Sequence, residues 1–366
     1  EAITNYSDDV TTRMTTNDWG DICMIPNSVQ NSELGDHFQP MGSVSTLSKT
    51  YNCVTAKMYN GICYGISSSN NVQGVLYNKK VFQDAGITAL PKTPDEYLTD
   101  LKAIKDKTKA VPLYTNFAAK WPVGAWDAYI GSVATGDPDF MNQKLAKMKD
   151  PFAKASFTAG TGPYAVYDIL YEAVKRKLIE DDPTTTDWES SKTKLNNGQI
   201  GTMVLGSWAI TQMQSAGKNP DNVGYMPFPI TVNGKQYATM GADYCYGINK
   251  NSSDDNKIAA MLYVKWLTEK SNFAYTEGGI PTVKSAELPK FLQGFKDILV
   301  EDNPPKTGEE DLFTKVNNDS ELSINTDNVH VSDIVEAALD GTKTMDDIVK
   351  EWNQKWTDAQ QKNGVK

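Results

Sequence analysis

Residues 74–106, GVLYNKKVFQDAGITALPKTPDEYLTDLKAIKD, carry the reading on which the fold class rests. GVLYN is a short apolar run of strand type. Lys79 to Ala85 then has room for two helical turns, which Gly86 stops because it tolerates the left-handed conformation. A second helix opens within ten residues. Thr93 is placed to cap it, Pro94 fits its first position, and Glu96 completes the spacing of a capping box. Leu98, Leu101 and Ile104 recur at helical spacing and predict its buried stripe. VPLYT, residues 111–115, follows as a buried strand. Strand, helix, helix and strand in this order predict an α/β domain with mainly parallel sheets.

The same alternation continues outward. ICMI, residues 22–25, reads as a short buried strand, and 47–55 as a weak helix. Tyr59-Asn60-Gly61 predicts a hairpin turn, since Asn-Gly supplies two positive φ angles. Helices are expected at 124–133 and 163–178, and from an Asp187 cap to Leu195. IGTMVLG, residues 200–206, is apolar throughout and predicts a fully buried strand, with Ser207 and Trp208 opening the next helix. GYMPFPI reads as an edge strand interrupted by proline. YCYGIN reads as a strand before a long helix from Asp254 to about Glu277. The last third predicts helices at 287–300, 331–340 and 344–360, with 301–330 as a long polar loop.

The 366 residues exceed one ordinary core and imply two domains. No run of about 18 apolar residues suggests a spanning helix. A net charge of −10 argues against a nucleic-acid partner, which demands a basic face. The two histidines, His37 and His330, share no metal-like spacing, so zinc chemistry and a Ser-His-Asp triad are poorly supplied, and no metal or cofactor is expected. Cys23, Cys53, Cys63 and Cys245 form no C-x-x-C pair. Cys53 and Cys63 are close enough in sequence to bridge across a hairpin; the alternative is that they pack as small apolar residues. The only arginines are Arg13 and Arg176, which disfavours strongly anionic ligands. The informative excess is aromatic, 8 Trp and 17 Tyr, many beside Gly, Pro, Asn and Ser in loops.

Several stretches in fixed order resemble the family 1 extracellular solute-binding proteins of bacterial ABC sugar importers, a group of maltose-binding-protein-like chains. YNGICYGISSSNNVQGVLYNKKVFQDAGI and LPKTPDEYLTDLKAIK match through Tyr77, Asn78, Lys79, Phe82, Gly86, Pro91, Thr93 and Glu96. LNNGQIGTMVLGSWAI matches through Gly198, Met203, Gly206 and Trp208. GADYCYGINKNSSDDNKIAAMLYVKWLTE, GGIPTVKS and IVEAALDGTKTMDDIVKEWNQKW complete the series. SSSNN replaces a proline common in the family.

The resemblance implies a two-lobed periplasmic-binding-protein-like fold of class II with the ligand cleft between its lobes. Its crossovers put lobe one at 1–73 and 243–286, and lobe two at 74–242 and 287–366. The family's first strand and most of its first helix are expected to lie before Glu1, leaving the first lobe truncated. It implies a non-enzymatic, monomeric subunit that captures a carbohydrate, an oligosaccharide above all, by lobe closure and hands it to the membrane permease. That would place it outside the cytoplasmic membrane, as a cell-surface lipoprotein or in the periplasm. The same fold binding a polyamine is the alternative reading. A glycoside hydrolase is remote, because no hydrolase motif or eight-fold βα period appears.

A sugar presents apolar C–H faces and a rim of hydroxyls, so its site needs flat aromatics beside polar groups. The resemblance places the family's sugar-stacking tryptophan at Trp208, at the end of a buried strand and before a helix, where α/β ligand sites lie. Trp121 and Trp126 in AAKWPVGAW are further stacking candidates, with Asn116 at the end of the preceding strand. Tyr244 and Tyr246 flank Cys245 and are expected to share one strand face, with Asp243 at the strand start. Asn70 and Asn71 in the polar loop, Asn27 and Ser28 after ICMI, Gly279 as a point of backbone approach, and Asp327 complete the candidate set.

Overall fold

A computed structural model describes residues 6–326 and 328–365. The chain forms two compact units. The first takes the chain up to Asn71, then Met240–Pro289 and Asn303–Asp311; the second takes Val72–Thr239, Lys290–Asp302 and the chain from Leu312 onward. The first two passages fall inside strands Asn70–Asn78 and Ala238–Ala242. Asn303–Asp311 groups with the first unit, although the sequence reading put it in the second lobe.

In the first unit, strand Cys245–Ile248 runs antiparallel to both Ile22–Met24 and Ile66–Ser67. Gly247 is required there, because a Cβ would lie 2.5 Å from the Phe38 ring. The Asn60-Gly61 turn forms as expected, with φ of 49° and 72°, and joins Met58–Tyr59 to Ile62–Cys63. The weak helix expected at 47–55 lies earlier, at Val44–Leu47, where the Ser43 side chain accepts from Thr46 N and caps it. All four cysteines are buried and unbridged. The long helix ends at Glu269, and a separate turn, Phe273–Thr276, follows.

The second unit is built on a six-stranded sheet. Ile200–Gly206 is buried at all seven positions, pairing parallel to Val111–Leu113 and antiparallel to Asn70–Asn78. Asn70–Asn78 also pairs antiparallel to Val223–Met226. The expected mainly parallel sheets are therefore corrected to mixed ones. Only strands linked by a local crossover helix must run parallel; a strand that brings the chain in from another unit arrives in either direction.

Helix Pro94–Lys107 buries Tyr97, Leu98, Leu101 and Ile104. Thr93 Oγ1 accepts from Glu96 N at 3.3 Å. The Glu96 carboxylate takes Lys92 N at 2.6 Å instead of the cap residue's own amide, so the box is offset by one residue. Helix Gly162–Lys175 is buried on almost every face. Beside it the Asp127 carboxylate, fully buried, accepts from the Tyr167 hydroxyl at 2.8 Å and Asn325 N at 2.8 Å, and lies 2.9 Å from His330 Nε2. Three expectations fail here. Residues 124–133 form short turns, not one helix. Residues 287–300 end in strand Leu299–Val300, since pairing with Ala238–Ala242 satisfies backbone that a helix would otherwise hold. Within 301–330, helix Leu312–Asp319 forms, and Asn317 clasps Ile324 through both its amide atoms.

Burial pushes the Asp302 carboxyl up to about 6, the Ser132 hydroxyl opposing it. Asp168 is raised to about 6 by burial and then by Glu172. Both folded values exceed the unfolded one of about 3.9. The protonated native form is favoured, so this stability is fully present below about pH 4 and lost as pH rises through about 6. The lowered carboxylates Asp187, Asp319 and Asp347 act in the opposite sense, but only as pH falls below the ordinary value. Calorimetric melting should therefore give a Tm a few degrees higher at pH 5 than at pH 7.5. Asp302→Asn should shrink that difference. An identical pH profile in the variant would remove Asp302 as a source.

Candidate functional site

Parallel pairing of Val111–Leu113 with Ile200–Gly206 sends the loops after both strands out on one sheet edge. The crossover helix between them, Trp188–Asn196, packs against Ile200–Gly206 and must run the other way, so its N-terminus returns to the same edge. Three tryptophans meet there. Trp121 follows the first strand, Trp208 the second, and Trp188 is the first residue of the helix. Their ring centroids are 5.0 Å apart for Trp121–Trp188, 5.6 Å for Trp121–Trp208 and 5.7 Å for Trp188–Trp208. Trp121 and Trp188 meet edge to face at 78°, and the other two pairs are tilted at 46° and 57°.

Each ring has a local cause. Trp208 folds back over Gly206, where a Cβ would sit 2.8 Å from the indole. Ser207 fastens this strand end, its amide donating to Val72 O and its hydroxyl accepting from Val72 N. Trp188 is aimed by the Asp187 cap, whose carboxylate accepts from Ser190 N at 2.7 Å and is held below its ordinary pKa chiefly by that bond. The Lys192 ammonium lies 4.9 Å from the Trp188 ring centroid and bonds Glu189. The Trp121 turn is tied to 182–188 by Ala118 N donating to Thr186 Oγ1 at 2.8 Å and Asp187 N to the Tyr114 hydroxyl at 3.2 Å. Trp121 remains 42% exposed, while Trp188 and Trp208 are half-buried.

Asn116 lies in the same turn. Thr115 beside it is held by Glu180, whose carboxylate accepts from Thr115 N at 2.9 Å and from its hydroxyl. Burial raises the Glu180 pKa, and these bonds oppose it. The Asn116 amide is 1% exposed and neither of its polar atoms has a partner. Leaving such groups unpaired costs about 1–3 kcal/mol each.

Other candidates gather in the first unit. Asp243 N donates to Ser69 O at 3.0 Å, and Ser68 N to Tyr244 O at 3.3 Å. Gly279 lies against Ser69, where a Cβ would approach to 2.9 Å. Asn70 is buried, its amide between the Ser67 and Thr282 hydroxyls, and Asn71 beside it is also buried. Desolvation first, then Glu277, raises the Asp243 pKa. Tyr244 is 59% exposed and precedes strand Cys245–Ile248, so the shared-face argument does not reach it. Tyr246 lies on the strand and packs against the core around Val264. Asn27 accepts from Lys57 at 3.4 Å and Ser28 contacts the Thr11 hydroxyl. Asp327 lies outside the described residues. Trp126 is 2% exposed and packs edge-on against Phe228; the Pro-Val-Gly turn before it directs it into the core. Sequence reasoning passed over Trp188, although its place just after a capping Asp187 put it at a helix start. Two surface concavities, of about 670 and 330 Å³, share Gly86–Leu90 and include none of the tryptophans. Among the described residues no cluster of His, Cys, Asp and Glu is arranged to hold a metal.

The model of the bacterial extracellular solute-binding protein family matches residues 4–272. The chain belongs to that family. This solute-binding protein is similar to a manno-oligosaccharide specific solute binding protein, BlMnBP2 from Bifidobacterium animalis subsp. lactis, seen in complex with mannotriose. The TM-score is 0.92 at 52% identity, covering 99% of this chain and 86% of that one. BlMnBP1, an ABC-transporter binding protein of the same organism in complex with mannobiose, matches with a TM-score of 0.93 at 52% identity and the same coverage of 99% and 86%. The diacetylchitobiose binding protein DasA of Streptomyces coelicolor is 32% identical over 155 residues, 42% of this chain and only 34% of that relative's length. The fold is that of the two-lobed solute-binding proteins.

Aromatic contacts of this kind stabilise by about 0.5–1.5 kcal/mol beyond their buried area. A double-mutant cycle on Trp121→Ala and Trp188→Ala should return a coupling of that size in denaturant melts of the ligand-free protein. Simple additivity would mean that the rings do not touch in solution. Trp126→Ala should cost about 3–5 kcal/mol of stability, well beyond Trp208→Ala.

Proposed function

We propose that this protein captures an oligosaccharide of the mannose class, without turning it over, and delivers it to the permease subunits of an ABC importer. The observation that carries this reading is the surface formed by Trp121, Trp188 and Trp208 on one sheet edge. Three adjoining indoles offer apolar area to the C–H faces of a sugar. Relatives at 52% identity over nearly the whole chain are manno-oligosaccharide binders, which narrows the ligand class beyond what an aromatic surface alone implies. Members of the family are binding proteins, which supports capture without turnover.

We place its work outside the cytoplasmic membrane, in keeping with the extracellular character of the family. Among the described residues no helix is long and apolar enough to cross a membrane. We propose a lipidated cell-surface protein or a free periplasmic one; fractionation of the native cells separates the two. The protein is proposed to act as a monomer.

Titration calorimetry with mannobiose, mannotriose, N,N′-diacetylchitobiose, raffinose and spermidine tests the ligand class. Heat and a raised Tm are expected with the manno-oligosaccharides, with no shortened product on chromatography after prolonged incubation. Trp208→Ala should weaken mannotriose binding by about 1.5–4 kcal/mol while lowering the ligand-free melt less than Trp126→Ala does. Tight binding of spermidine with none of any sugar would overturn the reading, as would steady release of mannose.

A further inference from the structure

Asn116 joins two features that seldom coincide by accident. Its backbone is left-handed, with φ 55° and ψ 33°. Its side-chain amide is enclosed by protein, and neither Oδ1 nor Nδ2 has a hydrogen-bond partner. Several backbone groups around it are bonded: Asn116 O accepts from Ala119 N, Phe117 O from Lys120 N, and Thr115 N donates to Glu180. Lys120, four residues on, also has a positive φ of 64° with ψ −59°. The turn thus keeps one orphaned amide and one strained non-glycine residue, Lys120, directly before Trp121. Strain and unmet polar groups concentrated in one segment mark function more often than architecture.

We propose that Asn116 determines sugar specificity: its amide grips two neighbouring hydroxyls of one pyranose, Nδ2 donating to one and Oδ1 accepting from the other, when the turn from Thr115 to Trp121 shifts to admit ligand. This rests on the carbohydrate reading above. A primary amide places donors and an acceptor side by side, which a carboxylate or an ammonium does not, and a vicinal diol presents the matching pair. Glu180, the buried carboxylate that meets this turn, is already spent on Thr115. Because the amide is sealed without a partner in the ligand-free chain, its hydrogen-bonding capacity is gained only on binding. Removing it should therefore weaken binding without weakening the fold, whereas an asparagine that merely braces the turn would behave the other way.

Asn116→Gly deletes the amide and keeps the left-handed backbone permitted; Asn116→Ser leaves one hydroxyl that cannot span a diol. Calorimetry with mannotriose should show Kd raised at least tenfold in both variants, with the ligand-free Tm of Asn116→Gly unchanged or higher. Monodeoxy-mannobioses supply the second readout. Wild-type protein should lose affinity for the analogues lacking either gripped hydroxyl, and Asn116→Gly should lose nothing further on those same analogues. An unchanged Kd in Asn116→Gly, or the same deoxy profile in variant and wild type, overturns the role of Asn116 while leaving the carbohydrate reading intact. A wild-type protein that binds no sugar removes the carbohydrate reading and this inference together.

Discussion

A buried strand must pair its backbone on both sides, and Ile200–Gly206 is buried along its whole length. That constraint organises the second unit. One flank is met by Val111–Leu113 in parallel and the other by Asn70–Asn78 in antiparallel, so the chain is drawn through the sheet from two directions. Thr202 shows how closely the fit is specified: its hydroxyl donates to Pro112 O and contacts the Tyr97 hydroxyl at 2.8 Å, joining sheet to helix at a position with no solvent. The tryptophan surface is a consequence. Parallel strands end on the same edge, the helix between them starts there, and each of the three delivers one indole.

The surface differs from a hydrophobic core in how its polar framework is spent. Around Trp188 and Trp208 the backbone groups are bonded by Asp187, Ser207 and Thr186, all short side chains at the ends of regular elements. That fastening holds the loop ends. Asn116 breaks the pattern, while the buried Glu180 carboxylate that meets this turn is used on Thr115. Within this turn the neighbours' polar groups are met and the Asn116 amide is not.

Much of the chain was readable without coordinates because its signals are local. The Thr93 cap, the Gly86 stop, the Asn60-Gly61 turn, the Asp187 cap and the apolar run from Ile200 to Gly206 each involve residues within a few positions of one another, and each formed. The failures share the opposite trait. Residues 287–300 and 301–330 were misread because what orders them, the pairing of Leu299–Val300 and the burial of Val316, Leu322 and Ile324, comes from elements distant in sequence.

For the site the division is sharper. From the sequence alone, Trp208 could be singled out, since a tryptophan between a buried strand and a helix start stands at a strand's carboxyl end whatever the rest of the fold does. Trp121 and Trp126 could not be told apart: they sit five residues apart in one loop, and only packing against Phe228 sends Trp126 inward while the contact with Trp188 and Trp208 keeps Trp121 at the surface. Local sequence determined which segments are strands, helices and caps, because hydrogen bonding and backbone preference act over a few residues. Tertiary structure decided which side chains share a surface, because that depends on strand order and direction, and those are settled by burial across the whole sheet.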